Sequence, residues 1–125
     1  MLPVPILLIT DQPTLNTLLE RVLIGLGYPA KLILCTDHLA EAEQLLQHHL
    51  PNLILIDLSI DGIATISFIQ QLKKIHPDAN VMVSLAQHQT PLLFKAIQAG
   101  AQGYIFYEHT EAEIVNNIKS ILRGG

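Results

Sequence analysis

The stretch Pro51-Asn52-Leu53-Ile54-Leu55-Ile56-Asp57-Leu58-Ser59-Ile60-Asp61-Gly62 restricts the fold more than any other part of the chain. Leu53 to Ile56 is apolar without interruption, where a strand with one wet face would alternate. Such a run suits a central parallel strand covered by helices on both faces. Asp57 ends it. In open α/β sheets, ligand chemistry gathers in the crevice above the carboxyl ends of the strands, so Asp57 is the first candidate functional residue. Judged by position alone, a loop-capping acid is the competing reading.

Composition agrees with a sheet buried on both faces. Of the 125 residues, 50% are apolar and only 14% charged, against about a quarter charged in ordinary globular chains. The length makes one domain, 1–125, able to bury an independent core but not two. The net charge is −4, and the 7 lysines and arginines do not cluster. That argues against a nucleic-acid footprint and in favour of protein partners. The single cysteine, Cys35, follows the apolar Leu32-Ile33-Leu34. It has no internal disulfide partner and reads as a packed core thiol in a reducing compartment. The opening Met1-Leu2-Pro3-Val4-Pro5 lacks a basic region, so no signal peptide is expected. No apolar run approaches a membrane span, and a cytoplasmic location is expected.

Short apolar runs alternate with helical periodicity along the whole chain. Val4 to Thr10 reads as the first strand, entered through two prolines. A helix follows, with Leu15, Leu18, Leu19, Val22, Leu23 and Leu26 on one face, closed by Gly25, Gly27 and Pro29. Lys31 to Thr36 is the second strand. Asp37 is a candidate cap for a helix whose inner face is Leu39, Ala42, Leu45, Leu46 and His49 or Leu50. The central strand leads through Gly62 to a helix carried by Ile66, Ile69 and Leu72 and stopped by Pro77. Val81 to Leu85 is the fourth strand, and Leu92, Leu93, Ala96 and Ile97 mark a helix ending at Gly100. Gly103 to Phe106 is the fifth strand. The last helix carries Ile114, Val115, Ile118, Ile121 and Leu122, with Thr110 as its cap and Gly124 as its stop. Five strand-helix pairs in strict alternation imply parallel strands with right-handed crossovers. The expected fold is a doubly wound, flavodoxin-like α/β three-layer sandwich with strand order 2-1-3-4-5.

Four pieces of the chain carry a family resemblance: Ile9-Thr10-Asp11-Gln12-Pro13, Pro51 to Leu58, Val81 to Ala86, and Gly100-Ala101-Gln102-Gly103-Tyr104. Together they resemble the receiver domain of two-component response regulators, nearest to the branch fused to a helix-turn-helix output domain. The resemblance covers nearly the whole chain in the right order. It implies that Asp57 is the acceptor of a phosphoryl group from a sensor histidine kinase, as an aspartyl phosphate. It also implies a Mg2+ site formed by two acids after the first strand, the acceptor, and a main-chain carbonyl two residues beyond. Asp11 matches the second of those acids and Ser59 offers the carbonyl. Thr10 stands in place of the first acid, so Mg2+ binding is expected to be weak or lost.

The readout positions depart further from the family pattern. A Thr or Ser is usual at the end of the fourth strand; Leu85 stands there. Ser84 is one residue away, and a one-residue offset in a strand turns a side chain to the opposite face. Tyr107 stands where the family has a phosphate-pairing Lys, and it carries no positive charge at neutral pH. Tyr104 matches the aromatic position whose rotamer accompanies activation. Asp61 is either a replacement for the lost acid or a solvated loop residue. Tyr107 is either a rim aromatic or a filler of the pocket that the Lys and Thr line in relatives. The six histidines are scattered, and the adjacent His48 and His49 face different ways on a helix, so no metal pair or hydrolytic constellation emerges.

A hydrogen bond to a charged group is worth roughly 1.5–3 kcal/mol, so two lost phosphate readers forfeit about 3–6 kcal/mol. Throwing a two-state switch takes about 5.5 kcal/mol of differential interaction. The resemblance therefore implies a degenerate receiver, not an enzyme, that acts through a protein partner or a second copy of itself, with impaired or phosphorylation-independent switching. The alternative is a still-competent phosphoacceptor that controls a DNA-binding domain outside these residues. Related regulators continue past the position of Arg123-Gly124-Gly125, so the chain is expected to be the N-terminal part of a longer regulator.

Overall fold

A computed structural model describes residues 6–48 and 50–122. Five parallel strands lie in the order β2-β1-β3-β4-β5, the expected one. The strands are β1 (Ile6–Ile9), β2 (Ile33–Thr36), β3 (Leu53–Asp57), β4 (Val81–Leu85) and β5 (Gly103–Phe106). The helices are α1 (Pro13–Gly25), α2 (Leu39–His48), α3 (Gly62–Ile75), α4 (Thr90–Ala99) and α5 (Glu111–Leu122). Single 3-10 turns occupy Ala30–Leu32 and Gln87–Gln89.

Side-chain parity on the strands divides the core into two layers. Leu7, Ile9, Ile54, Ile56, Val81, Val83 and Leu85 face α2, α3 and α4, meeting Ala42, Phe68, Ile69, Leu72, Leu93 and Ala96. Ile6, Leu8, Leu53, Leu55, Met82 and Ile105 face α1 and α5, meeting Leu15, Leu19, Leu23, Ile114 and Ile118. Every residue of β1, β3 and β4 is buried, which is why their sequences do not alternate.

Several sequence expectations are corrected at the edges. The first strand covers Ile6–Ile9 rather than Val4 to Thr10. Val4 and Pro5 lie outside the described residues, and Thr10 adds only a hydrogen bond from its N–H to the Thr36 carbonyl, 2.9 Å. The second strand starts at Ile33 because Ala30–Leu32 winds as a 3-10 turn after Pro29. Cys35 is exposed, not a core thiol. β2 is an edge strand, and on its α1-facing side the Glu20 carboxylate accepts from the Cys35 thiol at 3.6 Å. Burial and the neighbouring Glu20 push that thiol up to about 11.

Asp37 does not cap α2. Its carboxylate meets the His38 ring, and the Thr36 hydroxyl accepts from the His38 N–H at 3.2 Å. Leu50 is exposed, and His49 and Gly124 lie outside the described residues. Thr110 does cap α5: its hydroxyl accepts from Glu113 N–H at 3.2 Å and Glu113 returns a contact to Thr110 N–H at 2.9 Å, a capping box.

Candidate functional site

Asp57 is the last residue of β3 and is 0% exposed. By parity with Leu53 and Leu55 its side chain belongs to the α1 and α5 face, at the carboxyl end of the sheet. Its own loop supplies the nearest donors. Ser59 N–H donates to Asp57 Oδ1 at 2.8 Å, an Asx turn, and the Ser59 hydroxyl donates to the same oxygen. Asp61 closes the loop as N-cap of α3, accepting from Ala64 N–H at 3.2 Å. It is therefore a capping acid and not a replacement for the missing one.

Two further donors come from β4 and from the residue after β5. Asp57 pairs with Ser84 in the β3–β4 register, so the two side chains emerge on the same face. Ser84 Oγ donates to Asp57 Oδ2 at 2.8 Å, fully buried. This overturns the expectation that Ser84 turns away from the acid. The one-residue offset does put Ser84 opposite Leu85, but Leu85 is the residue that faces away, packed among Ile56, Val83 and Leu93. Just beyond β5, Tyr107 has the parity of Ile105. Its hydroxyl sits 2.7 Å from Asp57 Oδ1 and 2.8 Å from Oδ2. Burial, then the hydrogen bond to Asp57, raises the Tyr107 phenol well above its ordinary value, so it remains a protonated donor.

The carboxylate is thus saturated. Two oxygens offer about four lone-pair sites, and the Ser59 amide, the Ser59 hydroxyl, the Ser84 hydroxyl and the Tyr107 hydroxyl fill them. Asp11 is exposed beside this cage. Its Oδ1 lies 3.2 Å from Ser59 Oγ and 3.2 Å from Gln12 Nε2. Gln12 Nε2 also reaches Ser59 Oγ at 3.2 Å. Thr10 is buried and turned to its own backbone: its hydroxyl accepts from Gln12 N–H at 3.1 Å. Among the described residues, no Lys or Arg forms an ion pair with Asp57 or Asp11.

The loops around the cage are tied to one another. Tyr107 N–H donates to the Leu85 carbonyl at 3.0 Å, and Gln87 N–H donates to Glu108 Oε1 at 3.0 Å. Tyr104 belongs to a separate group on the α4 side, half-exposed, with its ring 5.0 Å from Phe106 and 6.1 Å from His109. The structure thus brings Asp11, Asp57, Ser59 and Tyr107 together and leaves Leu85 and Tyr104 outside. Ser84 and Gln12 are the members that sequence reasoning did not assign. Ser84 could have been found from the strand pairing, since it stands opposite Asp57.

The family model described as response regulator receiver domain matches residues 6–119. This chain belongs to that family. Among relatives of the receiver domain, the Fimbriae Z protein of Salmonella typhimurium is 23% identical over 124 residues, 99% of this chain and 59% of its own length. The chemotaxis protein CheY of Bacillus subtilis is 24% identical over 100 residues, 80% of this chain and 82% of its own. The transcriptional regulatory protein BaeR of Escherichia coli is 28% identical, over 94% of this chain and 48% of its own. The chain spans about half the length of two of these curated relatives, the Fimbriae Z protein and BaeR.

Solved structures show the same fold. A response regulator from Thermotoga maritima superposes with a TM-score of 0.83 at 19% identity, covering 98% of this chain and 99% of that one. The receiver domain of NtrX from Brucella abortus gives 0.84 at 18% identity, with 96% and 99% covered. No helix among the described residues is long and apolar enough to cross a membrane.

Receiver domains are signalling modules that commonly bind Mg2+ at the phosphorylation site and act on proteins such as histidine kinases and output domains. The side chains present here fit that cation poorly. Two carboxylates stand where the family offers three, and no cluster of three His, Cys, Asp or Glu side chains forms among the described residues. Asp57 has its oxygens engaged by hydrogen-bond donors, and a hard cation needs oxygen lone pairs that are free.

Proposed function

We propose that this receiver domain serves two-component signalling through protein–protein contact, with switching at Asp57 impaired or independent of phosphorylation. One observation carries the reading: the unmodified Asp57 carboxylate holds the Ser84 and Tyr107 hydroxyls, at 2.8 Å and 2.7–2.8 Å. A modification shifts a conformational equilibrium only through interactions that differ between the two states. Here the two hydroxyls best placed to read a phosphoryl group are already bonded before one arrives. The Lys that would add a state-dependent charge pair is Tyr107, and Leu85 points into the α3–α4 layer.

The domain is not an enzyme in this reading. Its residues 1–125 act as one receiver unit in the cytoplasm, and because BaeR is covered over only 48% of its length, the domain fits as part of a longer regulator. Its partner is a protein, a sensor histidine kinase or a second copy of the chain; these residues contact neither nucleic acid nor membrane. Mg2+ is bound weakly or not at all by Asp11, Asp57 and the Ser59 carbonyl. A second reading, a competent phosphoacceptor controlling a DNA-binding output domain, is favoured by the link from Asp11 through Ser59 Oγ to Asp57. That link keeps two acids of the phosphorylation site in one cluster.

Incubation with Mg2+ and acetyl phosphate, followed by intact mass and light scattering, separates the two readings. The impaired reading expects no stoichiometric adduct on Asp57 and no change in oligomeric state. A full adduct with altered assembly establishes the competent reading instead.

A further inference from the structure

We infer that Tyr107 governs access to Asp57: its hydroxyl takes the coordination space that a divalent cation or a phosphodonor needs. The inference rests on Asp57 being the phosphoryl acceptor. It goes beyond impaired switching by assigning the block to one side chain rather than to the missing acid at Thr10.

The four donors on Asp57 differ in what holds them. The Ser59 amide is part of the β3–α3 turn, and Ser84 is fixed on a buried central strand. The Ser59 hydroxyl has Asp11 Oδ1 as an alternative acceptor at 3.2 Å. Tyr107 alone spans both carboxylate oxygens, and it comes from the rim, 38% exposed. Its backbone is pinned by the N–H bond to the Leu85 carbonyl at 3.0 Å. Glu108, the next residue, is held at 3.0 Å by the Gln87 N–H. The loop therefore stays in place while the ring, turning about its own side-chain bonds, uncovers the acid.

Uncovering restores what phosphoryl transfer from an acyl phosphate requires. One Asp57 oxygen needs a free lone pair to bond to phosphorus, while the phosphorus–oxygen bond to the acyl group breaks and its electron pair leaves with the carboxylate product. With Tyr107 closed, its hydroxyl stands against both Asp57 oxygens on the rim side, at 2.7 and 2.8 Å, where a phosphodonor would have to approach. Ser84→Ala frees a lone pair only on the buried side, where no donor can approach.

The test uses wild type, Tyr107→Phe, Tyr107→Leu, Ser84→Ala and Thr10→Asp, each checked for folding by circular dichroism. Each is titrated with Mg2+ by calorimetry and labelled with acetyl phosphate. The expected result is at least tenfold tighter Mg2+ binding and at least tenfold faster labelling in both Tyr107 variants, with no gain in Ser84→Ala or Thr10→Asp. If wild type labels poorly and the folded Tyr107 variants bind Mg2+ and label no better, the inference falls while impaired switching stands. A gain in Thr10→Asp alone moves the block to the missing acid and also overturns it. Wild type that itself reaches a full Asp57 adduct, as fast as the Tyr107 variants, overturns both the inference and the impaired reading.

Discussion

Ser84 on β4 and Tyr107 just after β5 reach one carboxylate, and each bond has a charged acceptor. Such bonds are worth roughly 1.5–3 kcal/mol when buried. Ser84→Ala is therefore expected to destabilise the fold by about 1.5–3 kcal/mol, read as a lower urea midpoint at unchanged slope. The raised Tyr107 phenol has a pH consequence whose sign is fixed. Its folded value lies above the ordinary 10.0, so its stabilisation is complete below that value and is lost as pH rises through the folded one. Cys35 acts with the same sign between its ordinary 9.0 and about 11. In a Cys35→Ser background, Tyr107→Phe should flatten the alkaline fall in stability; an unchanged slope contradicts the bond to Asp57. The same rise leaves the exposed Cys35 slow to alkylate. Two units above the free thiol, from 9.0 to about 11, means about 100-fold less thiolate at pH 8. Iodoacetamide should label it quickly only in denaturant.

The central strands β3 and β4 lie where their apolar runs place them, because both are buried throughout. The edge strand β5 also keeps its expected bounds, Gly103–Phe106, although Tyr104 on it is exposed. β2 was misjudged at both levels. Leu32 continues its apolar run but belongs to the 3-10 turn Ala30–Leu32, and the run before Cys35 cannot distinguish an edge strand from a central one. Asp57, Asp11 and Tyr107 were found from their places along the chain. Ser84 was not, because its relation to Asp57 lies between strands and parity counted along β4 alone misses it. Helix ends carry their own chemistry. Thr110→Ala removes the α5 capping box and should cost about 1 kcal/mol, visible as a lowered thermal midpoint. Gly100 ends α4 at φ +125°, and a Cβ there would stand 2.6 Å from Lys73 Cγ. Lys73 cannot easily give way, since its ammonium donates to the Pro77 and Ala79 carbonyls, both at 2.8 Å. Gly100→Ala is expected to cost more than about 1 kcal/mol.

The molecule as a whole is a five-stranded sheet whose middle is dry and whose borders are not. Backbone amides of β1, β3 and β4 should exchange with deuterium only on global unfolding, while α2, which buries Ala42 alone among its residues, should open first. Comparable protection in α2 and β3 would show a more uniform cooperative unit than the packing implies. The saturated carboxylate bears on how alleles of this gene are read. Asp57→Ala strands four donors around a void, so a null phenotype reports misfolding as readily as a lost signal. Asp57→Glu lengthens the acid beneath the Tyr107 hydroxyl, which already stands 2.7 Å from Asp57 Oδ1, and keeps the same charge, so its effect reports crowding. The informative allele leaves the acid alone and edits the aromatic above it.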